Sequence, residues 1–588
     1  MNPIQFYTQE KQTLETELVS LKKRLFAVSI FRLFVFFTTI FGIYYFFGDG
    51  LIVSIIGTMG FSIFALLLVK NAKLQTGKEI LISKIKINTT EIAVLGGEFK
   101  NLKSGNEFVD PHHFYSNDID LFGIGSFFQY SNRTATEEGA QAYAVLLTEN
   151  KIDQIEKKQK AVQELAKKVT WRQHFTAIAG LVKVQFSSVT ILNYVKDYTT
   201  VLPQYFENLA KVFYLVSIAL IALVSVGLVP FSLLVLWFFI GLFISASQIK
   251  KTSHIYNKSS KAKETFKQYY QLLSEIEEQF FSSILLKENQ QKLQSEKEKA
   301  SAIFQKFSRI LDSFDQRNNI IIAVIGNALF LWDIQNAVKV EKWISKYKHT
   351  AESWFEVITF FDAQNTLANF SYNHPAFVMP TICDTSAIIK ATHLGHPLLN
   401  ASKRVDNDFV IDKEQFFIVT GANMAGKSTF LRTVSLTMVM ANIGLPVCAE
   451  VIEYSPIKLI TSMRTSDSLA DDESYFYSEL KRLKFIVDKI ETEDYFIILD
   501  EILKGTNSKD KAIGSKKFVE KLSNSKSTGI IATHDVSLCE LEEEFKEIKN
   551  YFFDAQIHDN ELHFDYTLKK GICKNMNASF LLKKMEII

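Results

Sequence analysis

Lys427 and Ser428 close a GxxxxGK[ST] spacing that begins at Gly421, inside "FFIVTGANMAGKSTFLRT" over 416–433. In this pattern the backbone of Gly421, Ala422, Asn423, Met424, Ala425, Gly426, Lys427, Ser428 and Thr429 offers N–H groups that cradle phosphates. The Lys427 ammonium reaches the outer phosphates and the Ser428 hydroxyl ligates magnesium. Downstream, "YFIILDEILKGTNSKD" delivers Asp500 and Glu501 at the end of an apolar run. Asp500 would hold the magnesium, directly or through water, and Glu501 would polarise the attacking water. A third run, "GIIATHD", ends on His534. Its imidazole is placed to hydrogen-bond a terminal phosphate or the water; the other reading is a histidine capping the next helix. The chemistry these residues describe is Mg2+-dependent hydrolysis of a nucleotide phosphate, with Lys427, Glu501 and His534 catalytic and Ser428 and Asp500 on the metal.

The elements that must position them are readable around each cluster. "FFIVT" is a strand entering the loop and "FLRTVSLTMVM" a helix leaving it; 495–499 and 529–532 are two more buried strands whose carboxyl ends carry the polar groups. From about 376 onward short apolar strands alternate with helical stretches, which predicts an α/β domain with a largely parallel sheet over 376–588. The segments 151–168 and 258–314 are rich in Lys, Glu, Gln and Leu with few Gly or Pro, and read as long, exposed helices.

Four stretches differ from all of this. Residues 33–47, extendable to Leu25 if Arg32 snorkels, and 51–69 are apolar over roughly the 20 residues a bilayer requires, with only "GDG" between them; 212–229 and 231–247 repeat the arrangement around Pro230. We read two helical hairpins that span a membrane, a pair of buried hairpins in a soluble protein being the alternative. Lys22, Lys23, Arg24, Lys70, Lys73, Lys211, Lys250 and Lys251 flank the hairpins, whereas the first tight turn carries only Asp49. Both hairpins should therefore enter and leave from the cytoplasm, making this an integral protein of the cytoplasmic membrane with its ATPase domain inside. The first apolar run is too long, and too closely followed by the second, for a cleaved signal peptide.

At 588 residues the chain exceeds the roughly 250–300 that one core sustains, so several domains are expected. They are a helix over 1–24, the first hairpin over 25–69, a helical core over 70–210, the second hairpin over 211–249, a helical lever and core over 250–375, and the ATPase domain. Lys plus Arg number 66 against 64 Asp plus Glu, a net charge of +2, which gives no strong field toward nucleic acid. Cys383, Cys448, Cys539 and Cys573 lie far apart without metal-ligand spacing and read as reduced and structural.

Taken in order, "TGANMAGKSTFLR", "TSDSLADDESYFYSEL", "LDEILKGTNSKD" and "ATH" resemble the ATPase domain of the MutS family; "DIDLFGIGSFFQYSNRTATEEGAQAYAVLL" over 118–147 resembles the start of that family's helical core, and "LGHPLL" over 394–399 its entry into the ATPase domain. The resemblance implies an ABC-type, P-loop ATPase that works as a homodimer, two nucleotides lying at the shared interface. The segment after Gly505 of one subunit then completes the site of the other, with Thr506, Asn507 and Ser508 acting in trans. Leu503 and Lys504 replace the usual Gly-Arg of that loop, Asn507 stands where Ser is usual, and Ala422 takes a usual Pro position. These departures bear on the trans contacts rather than on nucleotide binding. We expect no mismatch-reading domain with a Phe-x-Glu wedge and no connector, because the residues up to about Asn117 hold a short charged helix, a hairpin and a linker.

The leading reading is a membrane-anchored, MutS-like ATPase that couples ATP binding and hydrolysis to movement of helical levers, with the second hairpin standing where relatives carry a DNA clamp, either moving with the levers or serving only as an anchor. Its client is open: DNA at the membrane, bound weakly and without mismatch preference, or a membrane or protein partner with DNA binding lost. A transporter is the third class. It would need polar residues lining the spans, which beyond Arg32 and several Ser and Thr carry almost none, and the chain shows no LSGGQ-like element.

Overall fold

The computed structural model describes residues 2–181, 188–294, 298–464, 475–558 and 561–573. Its largest feature follows from two runs with no strong helix breaker. Pro3–Tyr45 is one helix of 43 residues, opened by Asn2, whose side chain accepts from the Ile4 N–H, and Gly50–Leu95 is one of 46, capped by Asp49. They run antiparallel. Gly60 lets the Thr39 side chain in where a Cβ would clash at 2.2 Å, Gly42 faces Ile56, and Gly77 faces Leu21. At about 1.5 Å per residue each helix reaches roughly 65 Å, twice the ~30 Å of a bilayer's hydrocarbon. The short charged helix and the linker expected on either side of the first hairpin are thus corrected: both are continuous with the apolar stretches, and the helix runs on to Leu95.

Among the described residues three helices are long and apolar enough to cross a membrane, Pro3–Tyr45, Gly50–Leu95 and Tyr205–Ser225. A fourth is reached if Phe231–Ser247 is counted together with the helical stretch after it, from which it is bent by 62°. Their apolar side chains stand largely exposed, Phe41, Leu66, Leu215 and Phe243 among them.

The charged end of the long hairpin is held by a polar cluster. Tyr7, fully buried, donates to Asn373 Oδ1 at 2.8 Å; Asn373 Nδ2 donates to Glu91 Oε2 at 2.7 Å; Arg133 Nε pairs with Glu91 Oε1 at 2.6 Å. Asn373 ends the helix Ala351–Asn373, which feeds the chain into the first strand. The same helix carries Asp362, buried, whose carboxylate accepts from the Ala135 and Thr136 N–H groups and the Thr136 hydroxyl; burial raises its pKa to about 6 against those hydrogen bonds.

The segments expected as long exposed helices are corrected. They fold as Ile155–Lys167, Lys263–Glu278, Ile284–Gln291 and Ala300–Asp315. Phe266, Tyr269, Leu272, Leu273 and Ile276 repeat at helical spacing and, with Phe304, Phe307, Trp343 and Phe355, build one aromatic core.

The strands are β1 Thr381–Ile382, β2 Ala387–Leu394, β3 Asn407–Asp412, β4 Phe416–Gly421, β5 Val451–Tyr454, β6 Lys458–Ser462, β7 Tyr495–Asp500, β8 Thr528–Ala532, β9 Ile548–His558 and β10 Glu561–Lys570. Four make a small mixed sheet in the order β1-β5-β2-β3; six make the main sheet, β10-β9-β4-β8-β7-β6, parallel throughout except for the β9–β10 hairpin. Val419 and Asp500 both lie opposite Ala532, so β7 and β8 finish level and β4 runs two residues further, to Gly421. The helical region is bolted to this unit by Asp118, whose buried carboxylate accepts from Thr461 Oγ1 (2.5 Å), Met463 N (3.1 Å) and Arg464 N (2.9 Å) just past β6. Arg482 adds bonds to the carbonyls of His113, Phe114 and Thr461.

Candidate functional site

Because the carboxyl ends of three adjacent parallel strands lie side by side, the residues that follow them share one rim. The chain leaves β4 at Gly421 with φ 151°, where a Cβ would stand 2.6 Å from the Phe553 carbonyl oxygen; only glycine lets β4 and β9 approach this closely at that φ. The loop turns through Met424 (φ 67°) and Gly426 (φ 108°) into the helix Lys427–Asn442, so its N–H groups and the helix N-terminus converge on the rim.

The cavity there, about 420 Å3, is lined by Ala422, Asn423, Met424, Gly426, Lys427, Ser428 and Thr429 from the loop and helix. Asp500, Glu501, Lys504, His534 and Tyr566 close it. Gly421 and Ala425 sit behind the lining. Lys427 Nζ donates to the Gly421 carbonyl at 2.7 Å and the Ala422 carbonyl at 3.0 Å. Burial lowers its pKa, opposed by the charges of Asp500 and Glu501. Ser428 Oγ donates to Asp500 Oδ2 at 2.6 Å. A hydroxyl beside a carboxylate is a hard-oxygen pair that fits magnesium. Among the described residues no three of His, Cys, Asp and Glu group to hold a metal by themselves, so a cation here would draw its remaining ligands from phosphate and water.

Glu501 lies just past β7 with φ 50°, its N–H donating to the Ala532 carbonyl at 2.9 Å. Its Oε1 is 2.9 Å from His534 Nε2, which also stands 3.3 Å from Lys427 Nζ. An ammonium cannot accept a hydrogen bond, so the Nε2 proton points to Glu501. That bond, the largest cause, and the neighbouring charges of His534, Lys504 and Lys511 depress the Glu501 pKa to about 2. Glu501 is therefore a carboxylate at any physiological pH. The capping reading of His534 fails, because Asp535 is the N-cap, its Oδ1 accepting from the Ser537 N–H.

Three residues at the rim escaped the sequence reading of site roles. Tyr566 (φ 53°) comes from β10, which crosses the loop because Asn407 bonds the Tyr566 carbonyl and the Leu568 N–H; no local signal marks it. Lys504, read only as a departure, lines the cavity of its own chain. Glu479 is buried and accepts from the Lys504 N–H at 3.0 Å, and the N–H groups of Leu503 and Gly505 are also turned to it. Burial raises its pKa against those bonds. It braces a loop that holds Glu501 and Leu503 at positive φ, 50° and 58°, where non-glycine residues are strained. Of the segment quoted around it, 465–474 lies outside the described residues. Glu479→Ala should slow ATP turnover about tenfold, the equivalent of ~1.4 kcal/mol, while a fluorescent ATP analogue still binds at near parental affinity; unchanged turnover would show that the brace is dispensable.

The residues expected in trans are placed apart from the cavity. Asn507 caps the helix Ser508–Asn524 by accepting from the Asp510 N–H at 2.9 Å; Asn507 and Ser508 are exposed, Thr506 is half-buried, and none lines the cavity.

Residues 417–584 match the family model described as MutS domain V. The chain is 30% identical over 219 residues to the human "MutS protein homolog 4", covering 36% of this chain and 23% of that protein. It is 32% identical over 197 residues to the "DNA mismatch repair protein MSH4" of Arabidopsis thaliana, covering 32% and 24%. To the "DNA mismatch repair protein MutS" of Staphylococcus haemolyticus (strain JCSC1435) it is 27% identical over 270 residues, covering 45% and 30%. The match thus spans less than a third of each relative's length. Together these similarities support a relationship of the C-terminal part of the chain to the MutS family.

Proposed function

We propose that this chain is a membrane-anchored, MutS-like ATPase that works as a homodimer, and that ATP binding and hydrolysis move the helices joining its nucleotide unit to the bilayer. The observation that carries the reading is the convergence, at the carboxyl ends of β4, β7 and β8, of Lys427, the Ser428–Asp500 pair and the Glu501–His534 pair. The loop 421–429 binds the phosphates through its N–H groups, and Lys427 swings from its own carbonyls to the charge that develops during transfer. Ser428 and Asp500 would hold magnesium, which would supply neutralisation of the phosphate charge. Glu501 orients and polarises the water, its rotamer fixed by His534. Thr506, Asn507 and Ser508, on an exposed turn, complete the partner's site.

One observation favours a client at the membrane over DNA. The long hairpin docks onto the end of Ala351–Asn373, the helix that runs into the nucleotide unit, so a displaced sheet would pull on that hairpin first. The levers then belong to the first hairpin, and the second, in the clamp's place, is an anchor. DNA binding is weak, salt-sensitive and blind to mismatches, since the near-zero net charge offers little phosphate neutralisation. Titrating the detergent-solubilised protein with paired and mismatched duplexes at near-physiological salt tests this: tight binding that prefers the mismatch would return DNA to the centre.

Orientation is tested separately. With Cys383, the one cysteine of the four that is not buried, replaced by serine, cysteines at Gly48 and Val229 should react with an impermeant maleimide added outside cells, and cysteines at Lys22 or Lys250 only after lysis. The inverse pattern would put the nucleotide site outside the cytoplasm and overturn the proposal.

A further inference from the structure

Between Arg317 and Asp333 the sequence reads "NNIIIAVIGNALFLW", fifteen residues without a charge. A stretch this short cannot span a bilayer, and apolar runs of roughly 10–14 residues are either buried core helices or re-entrant segments. Burial does not claim it: Ile320 is 79% exposed and Ile321 62%, with Val324 and Ile325 also exposed.

Its neighbours fix its depth. Ala328 packs against the helix Phe231–Ser247 at Gly241, where a Cβ would stand 1.9 Å from the Ala328 carbonyl oxygen. Ser245 Oγ donates to the Asn327 carbonyl at 3.2 Å, and Phe330 lies against Tyr214, ring centroids 5.6 Å apart. Gly241 is six residues before Ser247 and Ser245 two, so at about 1.5 Å per residue Asn327 and Ala328 stand roughly 3–9 Å inside that end of the helix. If the second hairpin spans the bilayer, this backbone is in the hydrocarbon of the cytoplasmic leaflet.

The polar ends show that it enters and returns on one side. Arg317 pairs with Asp333 at 3.1 Å, and Trp332 Nε1 donates to the Ser313 carbonyl at 3.0 Å, so the two ends of the segment meet. Arg317 also bonds Ser253 Oγ, on the helix Ile249–Ser259 that follows the hairpin's last apolar residue. Inside, the irregular backbone finds hydrogen-bond partners within the segment. Ile322–Gly326 is a π-helical turn, Asn327 Nδ2 donates to the Ala323 carbonyl, and Asn327 Oδ1 accepts from the Asp333 N–H. Non-helical backbone persists at membrane depth only on such terms.

We propose that residues 318–332 form a re-entrant insert that dips into the cytoplasmic leaflet beside the second hairpin and seats Ile320, Ile321, Val324 and Ile325 among the acyl chains. The proposal rests on the reading of that hairpin as membrane-spanning. Through the helix Trp332–Tyr347, which leaves the insert by way of Leu331 at φ 50°, it ties the leaflet to the aromatic core.

The test places single cysteines in the Cys383→Ser protein at Ile321, at Phe239 in the hairpin helix and at Ser345 on Trp332–Tyr347, all exposed, and labels each with a polarity-sensitive fluorophore. The full chain is reconstituted in nanodiscs of phosphatidylcholine with and without lipid carrying a spin label at a shallow acyl position. Ile321 should lose as much emission as Phe239, and Ser345 none. Loss at Phe239 without loss at Ile321 would overturn the insert and leave the anchored ATPase standing; no loss at either would overturn the membrane reading and the insert with it.

Discussion

Glu501→Gln should cut ATP turnover by at least about a hundredfold while leaving nucleotide bound, because a positioned base contributes roughly 10²–10⁴ to such a step and the amide keeps the shape of the carboxylate without its charge. The geometry specifies more than loss of a base. Glu501 is the acceptor that orients the His534 Nε2 proton, so the substitution also frees the imidazole beside Lys427. The His534→Ala variant should therefore be impaired too, though less, since Glu501 stays charged and aimed by its strained backbone. Lys427→Ala is the complementary case. It removes the buried cation that the loop carbonyls hold in readiness, and a charge-assisted hydrogen bond of about 1.5–3 kcal/mol corresponds to nucleotide binding roughly 10- to 100-fold weaker. Equilibrium binding of a fluorescent ATP analogue separates the two: tight but uncleaved in Glu501→Gln, weak in Lys427→Ala. Parental turnover in Glu501→Gln would remove the acidic strand from the mechanism.

The second large effect is structural and far from the cavity. Asp118→Ala should destabilise the nucleotide unit by on the order of 2–4 kcal/mol, since losing a buried carboxylate that accepts from one hydroxyl and two N–H groups leaves the Met463 and Arg464 N–H groups unpaired. For a domain of this size that is a fall on the order of 10 °C in the temperature at which nucleotide binding is lost. Asp118→Asn keeps an acceptor and should fall less. Because Arg432 of the loop's own helix donates to the Asp118 carbonyl at 3.2 Å, the same site joins that helix to the helical region. Thermal inactivation followed by analogue binding reads the effect, and equal midpoints for Asp118→Ala and parent would show that the junction carries no stability.

What was legible in the sequence divides along the range of the interactions. The loop 421–429, Asp500 and Glu501 are placed by their own strands, each an apolar run with a polar end, and the structure brings them together on one rim. Tyr566 and Glu479 reach that rim through Asn407 and the Lys504 N–H, pairings that no spacing along the chain announces. The four apolar stretches were legible as helices because each is a long apolar run, and each falls largely within a helix of the structure. That the first two continue as helix for another 20 or so residues could not, because hydropathy falls away beyond the apolar runs while helical backbone propagates through any run of helix formers without a breaker. The high Lys and Glu content of 258–314 argued for exposure, yet only one face of an amphipathic helix needs to be apolar, and here that face carries Phe266, Tyr269 and Leu273 into a core. The insert at 318–332 was missed for the opposite reason, being too short for any test built on a complete span.

The central claim, that one chain both inserts in a bilayer and hydrolyses ATP through Glu501, comes down to one measurement. Purified parent and Glu501→Gln protein are reconstituted into liposomes, floated on a density gradient, and the floated fraction is assayed for ATP turnover with Mg2+. The account predicts that both proteins float and stay with the vesicles after an alkaline wash, and that only the parent turns over ATP. Protein left at the bottom of the gradient, or equal turnover by the two floated proteins, would contradict it.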